Sequence, residues 1–101
     1  MLPSQIALPI DQIATFCQKW RITELSLFGS VLRDDFRPDS DVDVLVSFAA
    51  ETHWSLYAWV EMHAELQSIL GRAVDLVEKQ GLSNPFRRHA ILTTRQVIYA
   101  A

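Results

Sequence analysis

The sequence predicts an α+β domain: a small mixed β-sheet of about four strands with helices packed mainly on one face. Three observations lead there. Half of the 101 residues are hydrophobic, enough for a single core, so residues 1–101 read as one domain. Four short apolar runs, ELSLF, DVDVLVSF, AVDLV and QVIYA, read as strands. These runs alternate with segments of helical spacing, in the order α-β-(short α)-β-α-β-α-β, and helices interleaved with a small sheet cover it in layers.

Residues 9–20 read as the first helix. Ile10, Ile13, Cys17 and Trp20 recur at helical spacing, and Asp11 can cap or charge the first turn. Residues 24–28 form a strand that Gly29-Ser30 breaks, and residues 31–33 could make one helical turn. Residues 34–40 (DDFRPDS) are a polar loop holding Pro38. The strongest strand signal covers residues 41–48. A long helix is expected over residues 53–70, closed by Gly71, then a strand over 73–77. Asn84-Pro85 fits an N-cap and first helical position, starting a helix to about residue 94, and residues 96–100 are the last strand.

Composition narrows the function classes. The formal charge is −3, from 9 basic and 12 acidic residues, which gives no footprint for bulk nucleic-acid binding. No apolar stretch approaches a membrane span, and the N-terminal MLPSQIALPIDQ lacks the basic start and apolar run of a signal peptide. Cys17 is the only cysteine, so a reducing cytoplasm is the expected compartment.

The chemistry concentrates in residues 27–46, LFGSVLRDDFRPDSDVDVLV. Asp41 and Asp43 lie two apart on a strand, so their carboxylates project from one face. Neighbouring anions repel unless a cation sits between them, and a hard divalent cation such as Mg²⁺ takes such oxygens together with phosphate oxygens. Asp75 lies in the AVDLV strand between residues that read as buried, where a carboxylate is costly unless paired or metal-bound. If that strand lies beside the first, three carboxylates converge and could hold two Mg²⁺ ions. Gly29 lets the backbone approach a ligand closely, and Ser30 opens a turn whose N–H groups and hydroxyl can meet phosphate. Arg33 and Arg37 could neutralise a triphosphate, although Arg33 could equally tie down the acidic loop.

Gly29-Ser30, ten intervening residues, then Asp41-Val42-Asp43 resemble the GS-x10-DxD signature of the DNA polymerase β-like nucleotidyltransferase superfamily. Within it, this chain resembles the minimal nucleotidyltransferase (MNT) antitoxins that pair with HEPN-domain toxins. The resemblance implies the nucleotidyltransferase fold, with phosphate contacts at Gly29 and Ser30 and catalytic metal ligands at Asp41, Asp43 and Asp75; Arg33 joins the expected nucleotide-binding set. It implies Mg²⁺, ATP as substrate, a HEPN toxin as partner, and transfer of AMP to a toxin hydroxyl such as a tyrosine. Where many relatives place a glycine after the position of Arg33, this chain has Asp34, a residue that tolerates unusual turns.

Each feature also has a plainer reading. Gly-Ser is a common turn, DxD is common on surface strands, and Asp75 could end a strand or pair with an arginine. His53, His63 and His89 lack the spacing of a metal set, Cys17 and Trp20 read as core, and Arg87-Arg88 as a solvated pair. On the long helix, Ala58, Trp59, Met62, Leu66, Ile69 and Leu70 form one apolar arc, and Leu56, Tyr57, Val60 and Ala64 a second. The first can cover the sheet; the second is expected to pack inside the chain, with an interface as the alternative. Two further functions stand beside protein AMP transfer: a binding module that blocks a partner ribonuclease by occlusion, and nucleotidyl transfer to a small molecule.

Overall fold

The computed structural model describes residues 8–33, 37 and 40–101. Helix α1 (Ile10–Lys19) leads into strand β1 (Ile22–Phe28), a 3-10 turn (Gly29–Leu32) and strand β2 (Val42–Phe48). Helix α2 (Leu56–Leu70), strand β3 (Val74–Glu78), a second 3-10 turn (Lys79–Gly81), helix α3 (Pro85–Thr94) and strand β4 (Gln96–Ala100) follow. The loop that carries Asp34 falls mostly outside the described residues, where Arg37 and Ser40 close a short turn through Ser40 N–H to the Arg37 carbonyl at 3.0 Å.

Local chemistry sets the element ends. The Ser55 hydroxyl accepts from Ala58 N–H at 3.1 Å, so α2 starts three residues later than its apolar pattern implied. Gly71 ends it in the left-handed region at φ 71°, its N–H bonded to the Gln67 carbonyl. Asn84 caps α3 by accepting from Phe86 and Arg87 N–H, with Pro85 in the first turn. Strand β1 starts at Ile22 rather than residue 24, because Ile22 pairs with Phe48 before an irregularity that brings Glu24 opposite Ser47.

The sheet order is β3-β2-β1-β4. Strand β1 runs antiparallel to β2 and β4, while β2 and β3 are parallel. Period-two alternation sorts the side chains between two faces. Val42, Val44, Val46, Val74 and Leu76 join Phe16 and Cys17 of α1 and Met62 and Leu66 of α2 in the main core. On the other face Phe28 and Leu45 pack with Leu82 and with Ile91 of α3. Two of the three helices thus share one face, and α3 covers part of the other.

One expectation is corrected. The second apolar arc of α2 is not packed within the chain: Leu56, Tyr57 and Val60 are exposed, Tyr57 by 87%. Helix α1 lies instead along the arc's polar neighbour, where Lys19 pairs with Glu65 at 2.8 Å and Asp11, Gln12 and Thr15 line a groove with Glu65 and Ser68. The polar side of α2 with Glu65 and Ser68 meets the neighbouring helix, so the apolar arc beside it is left outside. Cys17 is core as expected, and burial pushes its thiol up to about 12, far from a reactive thiolate.

Met62 is fully buried, so Met62→Ala is expected to lose about 2–5 kcal/mol of stability. Leu56→Ala, on the exposed arc, should stay within about 0.5 kcal/mol. Urea unfolding of both variants checks the contrast.

Candidate active site

The parallel register sets Asp43 of β2 directly against Asp75 of β3. Their flanking residues, Val42, Val44, Val74 and Leu76, point into the main core, so both carboxylates stand on the opposite face of the sheet. Asp41 lies one residue before β2, two from Asp43, and is exposed. The register thus brings Asp75 beside Asp43, and Asp41 follows from its place two residues along the chain. The sequence misjudged the surroundings of Asp75, whose buried neighbours suggested a buried carboxylate: strand alternation turns Asp75 out to solvent.

Two side chains of α2 hold β3 in place. Val74 N–H donates to Gln67 Oε1 at 3.1 Å, and the Val74 carbonyl meets His63 Nε2. A carbonyl only accepts, so that ring nitrogen carries the proton. The main-chain groups of an edge strand, which need partners, are thus captured by a helix one residue before Asp75. Helical spacing hinted at Gln67 and His63 as neighbours, but nothing in the sequence tied them to β3.

Asp43 is half-buried and its carboxyl is raised above the ordinary carboxylate range. Burial is the largest cause, followed by the negative charges of Asp75 and Asp41. Hydrogen bonding from the Ser30 backbone and the charge of Arg33 pull the other way. The acidic cluster and the Gly29-Ser30 turn therefore form one electrostatic unit. Among the described residues, no group of three or more His, Cys, Asp or Glu is arranged to hold a metal ion by itself.

Gly29 is required twice over. It sits at φ 75°, a region that side chains with a Cβ adopt at a cost. A Cβ there would also lie 2.2 Å from Asp43 Oδ2. The sequence pointed to close backbone approach at this glycine, and the nearest group is the carboxylate that the DxD pair contributes. Ser30 follows in the 3-10 turn, half-buried, with its carbonyl accepting from Arg33 N–H at 2.9 Å. Arg33 and Arg37 are exposed.

A glycine turn pressed against paired strand carboxylates, on a four-stranded mixed sheet, is the arrangement of a nucleotidyltransferase, and the chain belongs to that family: the nucleotidyltransferase domain model matches residues 10–98. Among its relatives, the protein adenylyltransferase MntA of Thermococcus cleftensis is 35% identical over 82 residues, covering 81% of this chain and 78% of that one. A solved toxin–antitoxin complex with AMP-PNP superposes with a TM-score of 0.72 at 25% identity, over 93% of this chain and 75% of that one. A complex of a tri-AMPylated Shewanella oneidensis HEPN toxin with an MNT antitoxin matches in fold, with a TM-score of 0.64 at 23% identity over 91% and 70% of the two chains.

Gly29→Ala is expected to cost at least about 1–2 kcal/mol from the backbone alone, and to lower nucleotidyl transfer further by displacing Asp43. Thermal unfolding beside a transfer assay separates the two effects.

The metal-free chain should show a specific pH signature. Folding disfavours ionised Asp43, so this residue costs stability as pH rises from the ordinary carboxylate value through the raised folded value, and the cost persists above. Asp43→Asn should therefore raise the melting temperature near pH 7, with the gain vanishing below the ordinary carboxylate range. Melting curves taken in chelator across that interval measure it.

Proposed function

We propose that this chain is a protein adenylyltransferase: it transfers AMP from ATP to a hydroxyl, a tyrosine hydroxyl in particular, of a partner HEPN-domain toxin and so neutralises it. The observation that carries the reading is the register of Asp43 against Asp75 with the Gly29-Ser30 turn packed on Asp43. The T. cleftensis relative's name and the AMP-PNP complex support the reaction class and nucleotide, and the likeness in fold to the MNT antitoxin of the S. oneidensis complex is consistent with a HEPN partner.

The donor set fits Mg²⁺. Asp41, Asp43 and Asp75 supply only hard oxygen ligands, and the two neighbours raise the carboxyl of Asp43, a repulsion that a divalent cation relieves. These three residues would hold the metal, most simply as two ions, with triphosphate oxygens completing the coordination. When bound, the metal neutralises triphosphate charge and favours the ionised acceptor.

The protein's own groups do the rest. Ser30, through its N–H and hydroxyl, and the Gly29 backbone hold the triphosphate, and Arg33 lowers its charge. The acceptor oxygen attacks the α-phosphorus, one P–O bond forms, and the bond to pyrophosphate breaks. Asp75, the carboxylate open to solvent, takes the acceptor proton. The single cysteine, buried and unpaired, fits a cytoplasmic setting.

The test uses labelled ATP, Mg²⁺ and a HEPN toxin. Few chains should neutralise many toxin molecules, the toxin should gain the mass of AMP, and it should stay inactive after separation. The double variant Asp41→Asn, Asp43→Asn should remain folded and transfer nothing. Stoichiometric, ATP-independent and reversible neutralisation would instead establish occlusion, and full transfer by the double variant would refute the metal site.

A further inference from the structure

A cavity of about 270 Å³ opens at the end of β2 away from the carboxylates. Phe48, which lines it, lies five residues along the strand from Asp43, roughly 16 Å at the rise of a β-strand. The cavity belongs to the loop that joins β2 to α2 and to the end of β3, and none of the nucleotide-handling residues lines it.

Its walls are aromatic. Trp54 and Trp59 both line it with Phe48, and each stands steeply across the Phe48 ring, at 67° and 64° with centroids 6.5 and 6.2 Å away. Trp54 is braced from behind by Trp20 at 5.2 Å. Three aromatic rings thus line one cavity. Its rim is acidic: Glu51 and Glu78 line it, and no lysine or arginine does. Neither carboxylate takes part in an ion pair among the described residues. Glu51 is also held at φ 62°, a conformation that non-glycine residues adopt only where surrounding structure imposes it.

The loop's own polar groups are not all satisfied. Thr52 Oγ1 and Trp54 Nε1, on two residues that line the cavity, are buried without a hydrogen-bond partner. A buried donor without an acceptor is costly.

We propose that this aromatic, acid-rimmed pocket binds the cationic side chain, arginine or lysine, of a basic peptide segment on a partner protein. Aromatic faces attract a guanidinium or ammonium group through the ring quadrupole, and the two carboxylates add charge. The peptide source follows from the polar residues beside the rings, Thr52, His53 and Gln80, which can hydrogen-bond a peptide backbone that a free polyamine lacks. The inference is independent of the AMP-transfer reading, since the pocket shares no residue with that site.

The experiment follows the indole N–H resonances of Trp54 and Trp59 in the intact chain during titration with acetyl-Gly-Arg-Gly-amide. Both resonances should shift in a saturable way. The isosteric citrulline peptide should bind at least tenfold more weakly. The variant Glu51→Gln, Glu78→Gln should lose the response while its melting temperature and nucleotidyl transfer stay unchanged, and Trp59→Leu should lose it as well. Equal shifts with arginine and citrulline peptides, or none with either, would overturn the proposal. Spermidine binding tenfold tighter than the arginine peptide would overturn the assignment to a protein side chain.

Discussion

The buried face of β2 and β3 holds together what their other face would push apart. Val42, Val44, Val74 and Leu76 are packed against α1 and α2, and their burial fixes the parallel register to the residue. A slip of one residue would turn every core valine outward. That same register sets Asp43 opposite Asp75, an electrostatically unfavourable arrangement that the raised carboxyl of Asp43 records. Hydrophobic packing on one side therefore sustains charge repulsion on the other.

The supports of that arrangement come from three directions. The β1–β2 pairing brings Phe28 opposite Asp43, so the turn after Phe28 arrives beside the carboxylate. Gly29 lets it come close, and the Ser30 backbone bonds to the carboxylate. From the far edge, Gln67 and His63 of α2 bind both main-chain groups of Val74. Stability and function are coupled here through backbone contacts, so a core change in α2 reaches the acidic cluster through β3.

The two ends of β2 have different chemistry. At its start the strand carries the acidic cluster, with the Gly29-Ser30 turn packed beside it. At its end a loop with Trp54 and Glu51 folds against Trp59 and Glu78. Helix α2 begins beside that loop with Leu56 and Tyr57 facing solvent. Nucleotide chemistry and recognition of another chain can thus occupy opposite ends of one strand without competing for surface.

Sequence alone determined the elements and singled out the residues of the candidate site. Alternation marked β2, Asn84-Pro85 marked the start of α3, and Gly29, Ser30, Asp41 and Asp43 were legible because their spacing is short and strand geometry is regular. Only tertiary structure decided what depends on neighbours distant in the chain. It turned Asp75 outward, although its flanking residues are buried, because only one side of β3 meets the core. It placed α1 against Glu65 and left the Leu56–Tyr57–Val60 arc open, a choice between two faces of α2 that a helical pattern cannot make. It joined Phe48, Trp54, Trp59 and Glu78 into one pocket, since the parallel pairing of β2 and β3 brings together residues that lie thirty positions apart. Local patterns encode which way a side chain alternates; which neighbour it meets follows from how the apolar faces are finally stacked.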